Sequence, residues 1–204
     1  NLVSDCKEKI QVEYVSANPT GPLHVGHGRG AAVGSALANL MKAAGMNVSR
    51  EYYINDAGNQ INNLAASVNA RYLQQLGQTV EFPENGYHGH DIIETAERIV
   101  RIYGDRFLNM SEEERLKEFR TIALKEKLAA LKEDLEAFNV TYDEWFSEQT
   151  LHDANAIKNA CDLLTERGYL YEEGGALWLK ATEYGDDKDR VVIRDNGVPT
   201  YFAA

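Results

Sequence analysis

With 204 residues, 44% of them apolar and 26% charged, the chain is long enough for one sizeable core and ordinary in composition for a globular protein. Its formal net charge of −11 argues against a generic nucleic-acid binder, which carries a basic face, although an acidic protein can still hold RNA through a local patch. No run of about 18 or more apolar residues predicts a membrane-spanning helix. Asn1 to Cys6 lack the basic flank and apolar stretch of a signal peptide, and the two cysteines, Cys6 and Cys161, read as structural thiols of a reducing, cytoplasmic compartment.

Residues Ile10 to Val15 read as a strand, with Ile10, Val12 and Tyr14 on one side and Gln11, Glu13 and Val15 on the other. Turn formers follow from Ser16 to Pro22. From about His24 the period becomes helical, with Val33, Ala36, Leu37, Leu40, Met41 and Ala44 forming the expected inward face and Gly45 the stop. Val48 to Ile54 is a second strand and Asn55-Asp56-Ala57-Gly58 a second loop, in which Asp56 reads as a helix cap. The next helix turns Ile61, Leu64, Ala65, Val68 and Tyr72 inward and stops at Gly77. This strand–helix–strand–helix order predicts a βαβ unit and a parallel, Rossmann-like α/β sheet.

After a loop over residues 78–90, Asp91 is placed to cap a helix carrying Ile92, Ala96, Ile99, Val100 and Tyr103. Ser111-Glu112-Glu113-Glu114 has capping-box spacing and opens a long helix through Phe119, Ile122, Leu128, Leu131, Leu135 and Phe138. A helix over roughly Asp153 to Arg167 buries Ile157, Ala160, Cys161 and Leu164. Three short strands follow, Tyr169–Tyr171, Ala176–Lys180 and Arg190–Arg194, with hairpin-turn chemistry at Gly174-Gly175 and Asn196-Gly197. The expected organisation is a βαβ half over 1–77, a helical and hairpin insertion over 78–180, and a return to the sheet over 181–204.

The loop after the first strand carries the chemistry. Ligands of open parallel sheets bind beyond the carboxyl ends of strands, where loops enter helix N-termini. There the chain reads SANPTGPLHVGHGRG. Pro19, Gly21 and Pro22 make a low-entropy loop that lets backbone approach a ligand. His24 and His27, three apart in a first helical turn, sit beside a helix end that suits phosphate, and imidazole donors there can stabilise a phosphoryl transition state.

These residues resemble the class I aminoacyl-tRNA synthetases, whose His-x-Gly-His tetrad is HVGH at residues 24–27. The tetrad alone is shared with other nucleotidyltransferases. Its setting in VEYVSANPTGPLHVGHGRG, followed by YYINDAG, YHGHD and GALWLKATEYGDDKDRVVIRDNGVPTYF, is similar to the arginyl branch over nearly the whole chain. The resemblance implies that Pro19, Thr20, Gly21, Pro22, Leu23, His24, Val25, Gly26 and His27 bind ATP, with His24 and His27 catalytic. It implies an arginine site from Glu13, Ser16, Ala17, Asn18, His27 and Tyr201. ATP with Mg²⁺, L-arginine and tRNA(Arg) are the implied cofactors and partners.

The match departs from the family in two places. Thr20 stands where many arginyl enzymes carry a loop lysine, and no K-x-S-K occurs, so dependence on a later KMSKS-type segment is expected. The family's guanidinium-binding aspartate follows the Tyr201-type residue by four positions, and the chain ends at Ala204, so the 204 residues alone are expected to be inactive.

Other readings of the same residues are less economical. A zinc pair at His24 and His27 lacks further ligands at suitable spacing. Gly28, Gly30 and Gly34 imitate a dinucleotide fingerprint but lie inside the helix, where close helix–sheet packing accounts for them. Glu13, in a strand expected to be covered on both faces, needs either a structural cation or a substrate guanidinium. His88 and His90 read as loop packing, and the Glu112–Glu114 and Asp186–Asp189 runs as solvated surface. The competing functions are an HxGH nucleotidyltransferase for another small substrate, or a non-catalytic nucleotide- or arginine-binding module.

Overall fold

The structure, a computed structural model, describes residues 8–204, so Cys6 lies outside the described residues. The chain forms two compact units, one running to Ser147 and the other from Glu148 to Ala204.

The first unit is built on three parallel strands, β1 (Lys9–Glu13), β2 (Asn47–Ile54) and β3 (Glu144–Ser147), in the order β1-β2-β3. Ile10 is in register with Val48, and Tyr52 with Trp145. The parallel α/β class expected from the sequence is therefore present. β3 was not expected, because four residues of Glu-Trp-Phe-Ser are too short for a periodic signal. A long-range clamp fixes it: Arg50 donates through Nε and Nη2 to both oxygens of Asp143, at 3.0 and 2.8 Å. Asp143 also accepts the Arg50 amide at 2.8 Å, and these bonds hold its carboxyl well below the usual carboxylate range.

Helix α1 (Val25–Ala43) corrects the expected inward face. Val33, Leu37 and Leu40 are exposed, and the buried stripe is Ala31, Gly34 and Ala38. A Cβ on Gly34 would overlap the Tyr14 side chain, so the helix passes close over the residue that follows β1, an approach open only to a residue without a side chain. The helix ends in a Schellman motif, with Gly45 (φ 84°) donating to Lys42 and Met46 to Met41. Gly34→Val is expected to cost about 1–3 kcal/mol by overpacking, read as a lower urea midpoint at unchanged slope. An unchanged midpoint would show that the helix can lift from the sheet freely.

Between β2 and β3 run α2 (Asn59–Gln75), α3 (His90–Tyr103) and α4 (Glu112–Ala137). Leu64, Val68, Tyr72, Ile92, Ala96, Ile99, Phe107 and Phe119 form their common core. The Ser111 capping box is present, with reciprocal bonds to Glu114 at 3.3 and 3.1 Å. Asp91 is not the cap of α3, because Gly89 holds that position. Its Oδ2 instead meets the buried Lys127 ammonium at 2.6 Å. Phe138, expected inward, is exposed because it follows the last turn of α4 as its C-cap.

In the second unit the expected helix is α6 (Ala156–Glu166), and a short α5 (Gln149–Asp153) that was not expected precedes it, parted from it at Asn155 (φ 51°). Strands β4 (Leu170–Glu173), β5 (Ala176–Leu179) and β6 (Arg190–Ile193) form an antiparallel sheet. Gly174 and Gly175, at φ 59° and 79°, give the hairpin its turn. Ile157, Cys161, Leu170 and Val192 make its core, and burial pushes the Cys161 thiol up from its ordinary value. Within residues 181–204, β6 pairs with β5, and the chain divides into its two units after Ser147.

Candidate functional site

β1 stops at Glu13, two residues before the expected end, because the backbone reverses. Val15 and Ser16 have φ of 68° and 41°, and the Ser16 amide donates to the Tyr14 carbonyl at 3.0 Å, closing a turn around Val15. A β-branched residue in this region is an outlier costing about 1–3 kcal/mol, tolerated when its surroundings over-determine it. Here they do. Ser16 Oγ accepts the Tyr53 amide at 3.0 Å, and the Ala17 carbonyl accepts the Tyr52 hydroxyl at 2.8 Å. Tyr52 is fully buried, stacked on Trp145 at 4.5 Å, and its hydroxyl is pushed up to about 12 by burial. The Tyr142 hydroxyl donates to the Tyr14 carbonyl at 3.1 Å. The loop root is thus held from β2 and from the segment that leads into β3.

Beyond this root Asn18 is exposed and Pro19 buried, and the Thr20 amide donates to the Asn18 carbonyl at 2.8 Å. Leu23 packs against the core under the loop, anchoring the entry to α1, while Val25 is 91% exposed. Gly21 and Pro22 form part of the wall of a cleft of about 340 Å³, shared with Asp91, Arg98, Glu126 and Lys127.

His24 is the N-cap of α1 and His27 its third residue. Their rings stack with centroids 3.7 Å apart and planes at 24°. His24 Nδ1 accepts the Gly26 amide at 3.1 Å, and His27 Nδ1 accepts the His24 amide at 3.2 Å. Gly26 permits this, since a Cβ there would stand 2.9 Å from His24 Cε1. The first turn has no acidic residue, so no carboxylate within it offsets the positive helix end.

Burial first, and the neighbouring His24 second, lower the His27 pKa from its ordinary 6.5. The fold therefore favours the neutral ring. The unfolded chain binds the proton more readily, so this contribution is present above 6.5 and is lost as pH falls from 6.5 through the lowered folded value. Protection of the His24 amide against hydrogen exchange is expected to fall over that window; a flat profile between about pH 8 and pH 5 would contradict it.

The remaining predicted residues fall differently. Glu13 is exposed, on a sheet face with Lys9 and Gln11, and no ion pair among the described residues reaches it. The expectation of a buried carboxylate is thereby corrected: the described residues leave this face of β1 open, so no compensating cation is needed. Tyr201 lies in the second unit, exposed just after Thr200, whose amide donates to the Val192 carbonyl at 2.9 Å. Asp56 is not the α2 cap, which is Gly58. It is buried, accepts Ser147 Oγ at 2.6 Å on its carboxylate and Arg120 at 2.9 Å on its carbonyl. It ties the ends of β2 and β3 to α4, which only long-range contacts could reveal. His88 packs on Phe82 and His90 meets Glu94 at 3.1 Å, so the H-x-H pair divides between partners. Gly34 alone of the three helix glycines serves close packing; Gly28 and Gly30 face open space.

The sequence profile of the family described as tRNA synthetases class I (R), catalytic domain, matches residues 2–204. An arginine–tRNA ligase of Carboxydothermus hydrogenoformans is 59% identical over 197 residues, covering 97% of this chain and 35% of that protein. One from Moorella thermoacetica is 56% identical, covering 96% and 35%. A Campylobacter jejuni crystal structure described as an arginyl-tRNA synthetase superposes with a TM-score of 0.87 at 38% identity, covering 98% of this chain and 44% of that one. Arginyl-tRNA synthetase from Thermus thermophilus gives a TM-score of 0.65 at 28% identity, covering 96% and 34%. The chain spans about a third of the length of the curated relatives it matches.

Proposed function

The chain belongs to the arginyl family of class I tRNA synthetase catalytic domains, and on that premise we propose that it carries the nucleotide-binding part of an enzyme ligating L-arginine to tRNA(Arg). The observation that carries this reading is the HVGH tetrad, whose two imidazoles stack at the N-terminus of α1 directly after the first parallel strand. Pro19, Thr20, Gly21, Pro22, Leu23 and residues 24–27 lie along ATP in this reading. Ser16, Ala17, Asn18 and His27 meet the arginine backbone groups in this reading, and Glu13 its side chain.

A carboxylate oxygen of arginine attacks the α-phosphorus of ATP in line. The new P–O bond forms as the bond to the β-phosphate breaks, giving arginyl-adenylate and pyrophosphate. A terminal ribose hydroxyl of the tRNA then takes the acyl group and AMP leaves. His24 and His27 donate hydrogen bonds to phosphate oxygens as charge grows on them, and the held loop supplies position. Among the described residues no group of three metal-type side chains is assembled, so Mg²⁺ is read as arriving with the nucleotide, whose charge it screens. A charged, forked side chain is discriminated well by a hydrogen-bonding site, so editing is not demanded. No described helix is long and apolar enough to cross a membrane. We place the reaction in the cytoplasm.

The test is a thermal-shift titration of the protein at its full natural length with non-hydrolysable adenylate analogues. The arginyl analogue is expected to stabilise it and the lysyl analogue not; equal shifts would overturn arginine selection. The 204 residues alone are expected not to aminoacylate, and measured turnover from them would refute that.

A further inference from the structure

The two histidines of the tetrad spend one ring nitrogen each on the protein itself. The Gly26 amide donates to His24 Nδ1 at 3.1 Å, and the His24 amide donates to His27 Nδ1 at 3.2 Å. A backbone amide can only donate, so a ring nitrogen that receives one carries a lone pair and no proton. A neutral imidazole with a bare Nδ1 keeps its hydrogen on Nε2. Together the two bonds satisfy two of the amides that every helix start leaves unpaired, in the reciprocal pattern normally made by Ser and Glu.

We propose that His24 and His27 form a reciprocal histidine cap that locks both rings as neutral Nε2–H tautomers, so that the pair offers two N–H donors and no acceptor to a phosphoryl oxygen. Charging either ring at Nδ1 removes a cap bond. Charging both would set two cations against each other with ring centroids 3.7 Å apart. The neutral pair is therefore the state the fold selects, and it needs no change of protonation when a nucleotide triphosphate arrives. Gly26 acts as the positioning residue: a Cβ there would stand 2.9 Å from His24 Cε1 and 3.0 Å from Nδ1, displacing the ring from the cap. The tautomer assignment stands on geometry alone. The use of the donors rests on the reading that ATP phosphates lie at this helix end.

Long-range ¹H–¹⁵N spectra of the histidine side chains, recorded on the full-length protein without nucleotide near neutral pH, test the cap directly. Two rings with bare Nδ1 and protonated Nε2 are expected. An Nδ1–H form, or the rapid tautomer mixture of free imidazole, at either ring overturns the proposal. Gly26→Ala is expected to return His24 to that mixture; an unmoved His24 signal counts against the spacer role. Asparagine keeps a cap acceptor but has no Nε2 donor, whereas glutamine reaches the Nε2 position but is a poor N-cap. His24→Asn is thus expected to retain Gly26 amide protection while losing about 10²–10³ in ATP–pyrophosphate exchange. His24→Gln is expected to lose the protection. Loss of protection in His24→Asn contradicts the cap. Cap spectra as expected with undiminished exchange in His24→Asn would leave the tautomers standing and overturn the nucleotide reading.

Discussion

Alanine at His27 is expected to lower tRNA-dependent ATP–pyrophosphate exchange by about 10²–10³ in the full-length protein. Two losses coincide at this residue. On the proposed reading the Nε2 donor to the developing phosphoryl charge disappears, and with it goes the acceptor of the His24 amide, 3.2 Å away. Loss of such a cap costs about 0.5–2 kcal/mol of local helix stability. His24→Ala removes the second donor and the bond to the Gly26 amide. If the rings act on the transition state, kcat and kcat/KM fall together while KM for ATP stays nearly constant. A pure rise in KM would assign the rings to ground-state binding, and a change under about threefold in kcat/KM would remove them from the reaction. Because the two rings stack at 3.7 Å and share one reciprocal cap, the double variant is expected to lose less than the product of the single losses.

The second large effect is structural. Phe119 is fully buried at the meeting of α2, α3 and α4, edge-on to Tyr72 at 5.0 Å and to Phe107 at 5.1 Å. Phe119→Ala removes a ring from a close-packed aromatic cluster and is expected to destabilise the first unit by about 3–5 kcal/mol. The Tyr72 hydroxyl, which donates to the Gly104 carbonyl at 2.9 Å and accepts the Phe107 amide at 3.3 Å, holds the cluster from collapsing into the cavity. Phe119→Leu keeps most of the volume and is expected to cost markedly less. Urea unfolding of the two variants beside the parent checks this, and equal losses for Ala and Leu would contradict the cavity account and assign the loss to the edge-on ring contacts rather than to the volume filled.

Local periodicity was enough to expose much of this fold. β1, β2 and α2 repeat their apolar residues strongly, and every expected inward residue of α2 is buried. The Ser111 box was legible because its two partners are three residues apart. The α1 face was misread because large apolar side chains dominate a periodic signal, while its buried stripe is Ala31, Gly34 and Ala38. β3 and the Asp56 tie depend on partners about ninety residues away (Arg50 with Asp143, Asp56 with Ser147), which no local pattern records. At the site, the tetrad and its loop were legible as a string of residue types. The positive φ at Val15 and Ser16 was not, since neither residue favours it, nor was the use of each Nδ1 as a cap. Glu13 was expected to be buried because parallel sheets are usually covered on both faces; the described residues cover only the face that Tyr14 shares with α1.

The central claim is tested most directly by aminoacylation with labelled arginine, using the full-length protein, ATP and tRNA. Arginine is expected to become attached to tRNA in an ATP-dependent reaction that lysine does not support, and His24→Ala and His27→Ala are expected to reduce it in parallel with pyrophosphate exchange. Adenylation of some other small carboxylate without tRNA, with no transfer of arginine, would contradict the account.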